Sequence, residues 1–428
     1  MIDSTRPGLR ARARARARAL TFGCAIALGA AVLLAGCGGG PPKARIEEQQ
    51  QQREFASRGY APQGETVTMQ PVLWRLRGDD VRLSLTLPAG AAAAPRPVIV
   101  YLPGLGESET AGIRWRRAWA AAGYAVLTVQ PLDDDATAWS SDLARAAEFT
   151  ALGRRHYADA QMRQRLARLD ELLAEAQRLG RPGQGPGPGP GAGASAGDAS
   201  WRSLDWSKTV IAGYELGAQS AMAVAGERQP DGSVLSLKSV QPVAAIVISP
   251  QVFAQPDPAR YREVVIPVLG LTGPDDSDVL GLVRDVSWRQ APFAAMPAQR
   301  GWLLSVNEVR HAALGGNEAR PEDVEREQKR IRAAEEQAQS QPQGRRGGGG
   351  RGGRGQEGPT RMAPVPAVPD YRQLHEQQLG LTAAQQVSVA FLDLQLKRSD
   401  AARAWLGPPA ASWMRTIATI TRSVDERR

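Results

Sequence analysis

The chain has 428 residues, 42% of them hydrophobic and 23% charged, which suits one large domain with its own core. Its formal net charge of +9 falls to +4 outside residues 1–36, because that segment holds six of the 53 basic residues and one of the 44 acidic residues. So small an excess of positive charge does not favour a nucleic-acid partner.

The N-terminus has the pattern of a secretory signal. Six arginines precede a short apolar run, residues 19–34, and small residues follow it. The alternative is a transmembrane anchor, for which the run is short. The ending Leu-Ala-Gly-Cys is similar to a bacterial lipobox and implies cleavage before Cys37 and lipidation of its thiol. By the same resemblance, Gly38 after the cysteine favours the outer membrane, facing the periplasm.

Cysteine usage agrees with this prediction. The chain has two cysteines; Cys24 lies in the removed segment and Cys37 carries the predicted lipid. No thiol is then left in the mature protein for a disulfide, a zinc site or a nucleophile. We therefore expect a lipid-anchored protein of the cell envelope, with the membrane as its partner.

Beyond the signal, the sequence predicts a tether and one domain. Residues 37–63 are polar and rich in glutamine, which predicts the tether, and residues 64–428 form the predicted domain. The domain opens with alternating residues around Gly78-Asp79-Asp80, the pattern of a β-hairpin. Apolar runs then alternate with helical stretches, which predicts an α/β fold with a mostly parallel sheet and helices on both faces. The predicted strands are 98–102, 124–129, 210–211, 244–248, 264–269 and 302–306, and the predicted helices include 115–122, 218–226 and 387–396.

Two low-complexity segments interrupt the predicted domain. Residues 180–199 are rich in glycine, proline and alanine, while residues 320–369 begin charged and become rich in arginine and glycine, then in proline. Neither can bury enough apolar surface to fold alone, so we predict surface insertions. Residues 345–355 are similar to RGG-type RNA-binding tails, but a flexible linker is favoured and we expect no nucleic-acid partner. The helix 387–396 is predicted to end the domain and return to the sheet.

The most informative motif is Gly213-Tyr214-Glu215-Leu216-Gly217, or Gly-x-Glu-x-Gly. It follows a short apolar run and opens a helix of small residues, the context in which Gly-x-Ser-x-Gly forms the nucleophile elbow of hydrolases. The glycines allow strand and helix to pack closely while the central side chain stands on a strained turn. In this chain that side chain is the carboxylate of Glu215, where a serine hydroxyl is expected.

Together with the elbow, six further motifs resemble the α/β-hydrolase superfamily, in particular its platelet-activating-factor acetylhydrolase-like branch, also labelled predicted dienelactone hydrolases. The likeness covers residues 66–316 and the last predicted helix, without the insertions. It implies the α/β-hydrolase fold and an ester-like small-molecule ligand. It depends on the order and spacing of segments 97–106, 122–126, 247–251, 271–276, 289–293 and 309–316.

The resemblance also implies the site residues. Glu215 takes the nucleophile position, Asp276 the acid position and His311 the histidine position. The backbone N–H groups of Leu105 and Leu216 are the implied oxyanion-hole donors. The chain order of elbow, acid and histidine is independently the order that this fold requires.

Alternatives remain open at several positions. Asp275 and Asp278 compete for the acid role, because a cluster of acids after Gly-Pro is also typical of a solvated turn. His156 and His375 lie in polar helical stretches, where we predict solvated surface residues. Ser220, one turn beyond the elbow, is another hydroxyl, but inside the helix it faces the wrong way.

Glu215 removes the basis of ordinary serine chemistry. A carboxylate has no proton for His311 to take, and two carboxylates beside His311 favour its imidazolium form, which cannot act as a base. We expect no metal and no cofactor, because no metal cluster, phosphate-binding loop or nucleotide motif stands out.

Three functions stay open, so the sequence does not decide whether the chain is an enzyme. The first is a non-catalytic envelope protein that keeps the hydrolase fold and binds a ligand or another envelope component. The second is an active, diverged hydrolase in which Glu215 attacks carbon, as an aspartate does in haloalkane dehalogenases and epoxide hydrolases. The third is a structural or interaction protein whose insertions carry the function. The sequence names no protein partner.

Overall fold

The computed structural model describes residues 43–60, 66–90, 92, 94–181, 198–252, 256–318 and 371–424. The chain forms two compact units, residues 1–53 and 54–428. The predicted signal, Cys24, Cys37 and most of both predicted insertions lie outside the described residues. Within those ranges, no helix is long and apolar enough to cross a membrane.

The described strands of the second unit form one nine-stranded sheet. The strands are β1 (Val67–Leu76), β2 (Asp79–Pro88), β3 (Arg96–Leu102), β4 (Ala125–Val129), β5 (Leu204–Tyr214), β6 (Ala244–Ile248), β7 (Val268–Thr272), β8 (Gly301–Val306) and β9 (Ala418–Arg422). Their order across the sheet is β1-β2-β4-β3-β5-β6-β7-β8-β9. Strands β3 to β8 pair in parallel, and the pairs β1–β2, β2–β4 and β8–β9 are antiparallel.

The described helices lie before, between and after these strands in the chain. They are α1 (Lys43–Ser57), α2 (Ile113–Ala121), α3 (Asp133–Ala136), α4 (Asp142–Arg145), α5 (Phe149–His156), α6 (Asp159–Leu179), α7 (Asp198–Arg202), α8 (Leu216–Ala225), α9 (Ala291–Ala295), α10 (His311–Leu314), α11 (Tyr371–Leu396), α12 (Asp400–Trp405) and α13 (Pro408–Met414).

Strand β3 shows how the sheet is covered on both faces. Successive side chains of a strand point to opposite faces. Val98, Val100 and Leu102 pack in the core with α6 and α8, while Ile99 and Tyr101 pack with α2 and α11. None of the five is more than 1% exposed. Burial on both faces explains the continuous apolar runs, and the predicted α/β fold is confirmed.

The predicted leading hairpin is confirmed as β1 and β2. Its turn is formed by Arg77 and Gly78, one residue earlier than predicted, because Leu76 already pairs with Asp79. Both turn residues have positive φ, 55° and 96°. That conformation suits the right-handed twist of the two strands, and it explains why a glycine stands there.

The predicted strand over residues 264–269 is misplaced. Strand β7 begins only at Val268. Val265 is 67% exposed, and Pro267 has no N–H to give to a neighbouring strand. The run was apolar, but its first half lies outside the sheet.

The helix predicted over 387–396 is not the last element of the domain. It is the end of the longer helix α11, and α12, α13 and β9 follow it. Strand β9 pairs with β8 and closes the edge of the sheet. Its five residues carry too little apolar alternation to be recognised from the sequence.

The last residues of the predicted tether belong to the second unit. The Phe55 ring stacks on Trp413 with 4.3 Å between ring centroids, and the Trp413 indole N–H donates to the Phe55 carbonyl at 3.0 Å. The Tyr60 hydroxyl donates to Asp393 at 2.7 Å. Packed structure therefore begins before residue 64, the predicted start of the domain.

The return of α11 to the sheet can be tested through Phe391. This side chain is fully buried and lies 6.0 Å, between ring centroids, from Trp302 of β8. We expect Phe391→Ala to lower the free energy of unfolding by about 3–5 kcal/mol in urea denaturation. Phe149→Ala, which truncates a ring that is 40% exposed, is the matched control and is expected to cost far less. Equal losses in the two variants would contradict the packing described for α11.

Candidate functional site

The elbow motif forms a sharp turn between β5 and α8. Glu215 stands at its apex with φ 52° and ψ −105°, a conformation that non-glycine residues rarely adopt. A Cβ atom on Gly213 would lie 2.1 Å from the Gly217 carbonyl carbon, and one on Gly217 would lie 2.0 Å from the Leu102 carbonyl oxygen. The two glycines are therefore required for strand, turn and helix to approach this closely.

The Glu215 carboxylate is buried and held by both a donor and a cation. Its Oε2 accepts a hydrogen bond from the Leu105 N–H at 3.2 Å. Its Oε1 lies 3.8 Å from His311 Nε2, an ion-pair distance and too long for a hydrogen bond. Among the described residues, Oε1 has no hydrogen-bond partner. Glu215 is only 5% exposed.

His311 and Asp276 come together at the ends of two neighbouring parallel strands. His311 is the first residue of α10 after β8, and Asp276 follows β7. His311 Nδ1 donates to Asp276 Oδ1 at 2.7 Å, and the Thr272 hydroxyl donates to Oδ2 at 2.7 Å. Arg289 is fully buried, and its Nε lies 3.5 Å from the same Oδ2 atom.

The two competing acids have other partners. Asp275 accepts a hydrogen bond from the Glu308 N–H at 3.1 Å. Asp278 accepts the N–H groups of Leu280 and Val283, both at 2.9 Å, and so holds its own loop. Of the three candidate acids, Asp276 is the one in contact with the histidine.

Leu105 and Leu216 flank the carboxylate as expected from the motif. Leu216 is the first residue of α8, directly after Glu215, and Leu105 lies in the loop after β3. Both side chains are buried. The Leu105 N–H is already engaged by Glu215, so this implied oxyanion donor is occupied from within the protein.

Ser249 and Arg289 also belong to the site, although neither was predicted as a site residue. The Ser249 hydroxyl donates to Asp276 Oδ1 at 2.7 Å and lies 2.9 Å from His311 Nδ1. Arg289 donates to the carbonyls of Asp276, Ser249 and Pro250 at 3.2, 3.1 and 2.6 Å. Both residues lie in segments, 247–251 and 289–293, that contribute to the prediction only through the family resemblance. Their contacts with the acid loop depend on tertiary structure.

Glu107 adds a second glutamate beside Glu215. Its Oε2 accepts the Gly104 N–H at 2.8 Å and its Oε1 accepts from Asn317 Nδ2 at 2.6 Å. The consecutive N–H groups of residues 104 and 105 therefore each hold a carboxylate. Burial and the charge of Glu215 outweigh the Gly104 hydrogen bond and raise the pKa of Glu107 to about 7.

The charges around His311 make it a cation at neutral pH. Burial lowers its pKa, but hydrogen bonding to Asp276 and the adjoining Glu215 carboxylate outweigh burial and raise the pKa to about 9. For Asp276, burial raises the pKa, while the His311 hydrogen bond and the Arg289 charge hold it below its usual value. An imidazolium between two carboxylates is a stable ion cluster and not a base.

The site is nearly closed to solvent. His311 is 7% exposed and Leu105 2% exposed. The Trp139 indole N–H donates to the Leu105 carbonyl at 2.8 Å, which fixes the ring beside the loop after β3. A groove of about 780 Å³ borders the site along Ser108 and Gln130 without including Glu215 or His311.

The other predicted histidines and Ser220 lie elsewhere, and the prediction for His156 is wrong. His156 is 2% exposed, and its Nδ1 lies 2.8 Å from Asp135, which Arg165 also contacts at 2.7 Å. It turns inward because α5 packs against the domain with this residue on its buried side. His375 is half-buried on α11. Ser220 is buried inside α8 and accepts from Arg165 at 3.2 Å.

The strand order and the elbow between β5 and α8 define an α/β fold of the hydrolase type. No family model matches the chain, and no curated protein matches it. Among solved structures it is similar to one described as "Putative Dienelactone Hydrolase from Klebsiella pneumoniae subsp. pneumoniae MGH 78578". The identity is 17% and the TM-score 0.39, over 63% of this chain and 98% of that one. At this TM-score the likeness says nothing about activity.

The ion cluster can be tested by following the three histidines in an NMR titration. We expect a pKa of about 9 for His311 and a lower value in Glu215→Gln, because one of its two carboxylates is then neutral. Glu109→Gln, in the same loop as Glu107, is the control and should leave the His311 pKa unchanged. A His311 pKa near 6.5 in the natural protein would contradict the cluster.

The same pKa shift predicts a pH dependence of stability. A histidine pKa raised from 6.5 to about 9 stabilises the fold fully below pH 6.5, and this contribution is lost as pH rises through 9. We therefore expect the unfolding free energy of the natural protein to fall over this window. In His311→Gln the fall should be smaller, since the titrating group is absent.

Proposed function

We propose that this protein is a lipid-anchored envelope protein of the α/β-hydrolase fold that has lost ordinary ester hydrolysis and serves by binding a ligand or partner. The observation that carries the proposal is the position of the Glu215 carboxylate. Its Oε2 accepts the Leu105 N–H at 3.2 Å, so the carboxylate occupies the donor that an ester oxyanion needs.

Ester hydrolysis by a triad has three requirements, and the geometry argues against each. The nucleophile position holds Glu215, which has no hydroxyl proton to give up. His311, with a pKa of about 9, carries a proton at neutral pH and cannot accept another. The Leu105 donor is engaged. A carboxylate attack on an ester would also give an anhydride, a more reactive product than the substrate.

Ligand binding is supported by the groove beside the site. Its volume of about 780 Å³ is in the range of small-molecule pockets. Gln130 lines this groove and also donates to the Gly104 carbonyl at 3.0 Å. It therefore joins the groove to the loop that holds Glu107 and Glu215. We propose this groove, with an ester-like small molecule, as the binding region.

One observation favours the alternative, an active hydrolase with a carboxylate nucleophile. Glu215 Oε1 is buried, lies 3.8 Å from His311 and has no hydrogen-bond partner among the described residues. A free lone pair could attack an alkyl carbon and form an ester bond while a halide leaves or an epoxide ring opens. The His311 proton then passes to the epoxide oxygen or, when a halide leaves, to solvent, because the ester no longer carries the charge that favoured the imidazolium. The neutral imidazole could then activate water to hydrolyse the ester.

The decisive variant is Glu215→Ser, compared with the natural mature protein on short-chain nitrophenyl esters. We expect no turnover by the natural protein. The serine variant should gain turnover, because it supplies a hydroxyl and frees the Leu105 N–H. It also removes one of the two carboxylates that stabilise the protonated form of His311. The rate of nitrophenol release measures both.

Matched controls separate chemistry from a change in charge. Glu215→Gln also removes the carboxylate but has no nucleophile, and it should stay inactive. Turnover by the natural protein that disappears in His311→Ala would overturn the proposed loss of ester hydrolysis. Release of halide from an alkyl halide, or of a diol from an epoxide, would instead establish the carboxylate-nucleophile alternative.

The proposed anchor depends on Cys37 alone. We expect the natural protein, expressed in a Gram-negative host with labelled fatty acid, to incorporate label and to fractionate with the outer membrane. Cys37→Ser should abolish both, while Cys24→Ser is the matched control and should change neither. Membrane retention of an unlabelled Cys37→Ser protein would favour the transmembrane alternative.

A further inference from the structure

A second pocket lies at the end of the sheet where the parallel strands β7 and β8 begin, opposite to the end that carries the elbow. It has a volume of about 490 Å³ and is bordered by the chain entering β7 and β8 and by the end of α11. The elbow, in contrast, follows the carboxyl end of β5. Four arginines and a tryptophan line this pocket: Arg300, Arg398, Arg403, Arg422 and Trp302.

The positive charge of this pocket is largely unbalanced. Among the described residues that line it, none is a carboxylate. In the described part of the chain, Arg300, Arg398 and Arg422 make no ion pair, and Arg403 has only a 3.7 Å contact with Asp400, which is 98% exposed. Burial, and then the like charge of Arg403, lower the pKa of Arg422. Like charges gathered without counterions favour an anionic ligand.

Trp302 gives the pocket a fixed wall. It is 3% exposed, and its ring packs against the buried Phe391 ring with 6.0 Å between centroids. The Arg422 guanidinium lies over the Trp302 ring, 3.6 Å from the ring centroid, so the cation is oriented before any ligand arrives.

We propose that this pocket binds an anion bearing phosphate groups. Guanidinium groups present paired N–H donors that match phosphate oxygens, and several together can hold more than one phosphate. The volume of about 490 Å³ admits a small organic phosphate as readily as a lipid headgroup. The site is separate from Glu215 and His311, so it does not depend on the function proposed for them.

The test is calorimetric titration of the full mature chain with inorganic pyrophosphate. We expect binding by the natural protein and a loss of affinity of about tenfold for each arginine removed in Arg403→Gln/Arg422→Gln. The control pair, Arg145→Gln/Arg155→Gln, changes the net charge equally at exposed positions elsewhere and should bind like the natural protein. Asp425 and Glu426, which lie outside the described residues, are kept in every variant, so their negative charge is the same in all the titrations with pyrophosphate.

A second measurement keeps the proposal falsifiable if the double variant folds poorly. The pair Arg300→Gln/Arg398→Gln removes two exposed side chains that make no ion pair in the described ranges, and it should show the same loss. Without anion, Arg403→Gln should raise the melting temperature, because it removes repulsion from Arg422. A lower melting temperature would mean that the arginine serves the fold, and it would count against the proposal.

The source of the phosphate is distinguished with vesicles of phosphatidylcholine and phosphatidylglycerol in equal parts. Arginine-dependent binding of the unlipidated mature chain to these vesicles, absent with phosphatidylcholine alone, would identify a lipid headgroup. Binding of pyrophosphate without vesicle binding would identify a free organic phosphate. No pyrophosphate binding by the natural protein, or equal binding by the pocket variant and the control variant, would overturn the proposal.

Discussion

The Glu215 carboxylate, buried between the Leu105 amide and the His311 imidazole, is the constraint on which the rest of the site depends. A buried anion is costly unless donors and cations surround it. His311 becomes a cation in response, and Arg289 supplies a second positive charge beside Asp276. Two carboxylates thus face two cations. Glu107 is the remaining acid, and burial together with the charge of Glu215 raises its pKa to about 7.

The backbone holds this cluster in place at some conformational cost. Glu215 and Ser249 both have a φ of 52°, in the left-handed region, and both stand at the carboxyl end of neighbouring strands. Such strain persists only where the surrounding packing over-determines it. Gly213 and Gly217 provide that packing at the elbow, and Arg289 ties the carbonyl of Ser249 to the acid loop. This geometry underlies the proposal that the chain keeps the scaffold of a hydrolase site with its chemistry altered at Glu215.

Local patterns in the sequence carried most of the predictions. The buried strands followed from their apolar runs, and motif spacing singled out Glu215, Asp276 and His311, whose side chains the structure brings together. Contacts between residues that follow different strands could not be predicted from the sequence. Glu107 and Ser249 acquire their roles only when separate strand ends meet, and His156 is buried because of how α5 packs. Strand β9 was missed because an edge strand needs little apolar pattern.

We propose that Glu215 is an ion-paired carboxylate without nucleophilic chemistry. Intact-mass spectrometry after incubation with a fluorophosphonate and, separately, with an alkyl halide tests this directly, with Glu215→Ser as the positive control for the fluorophosphonate. We expect the natural protein to keep its mass with both reagents and the serine variant to gain one phosphonyl group. An alkyl adduct on Glu215 of the natural protein that is absent from Glu215→Gln would contradict it.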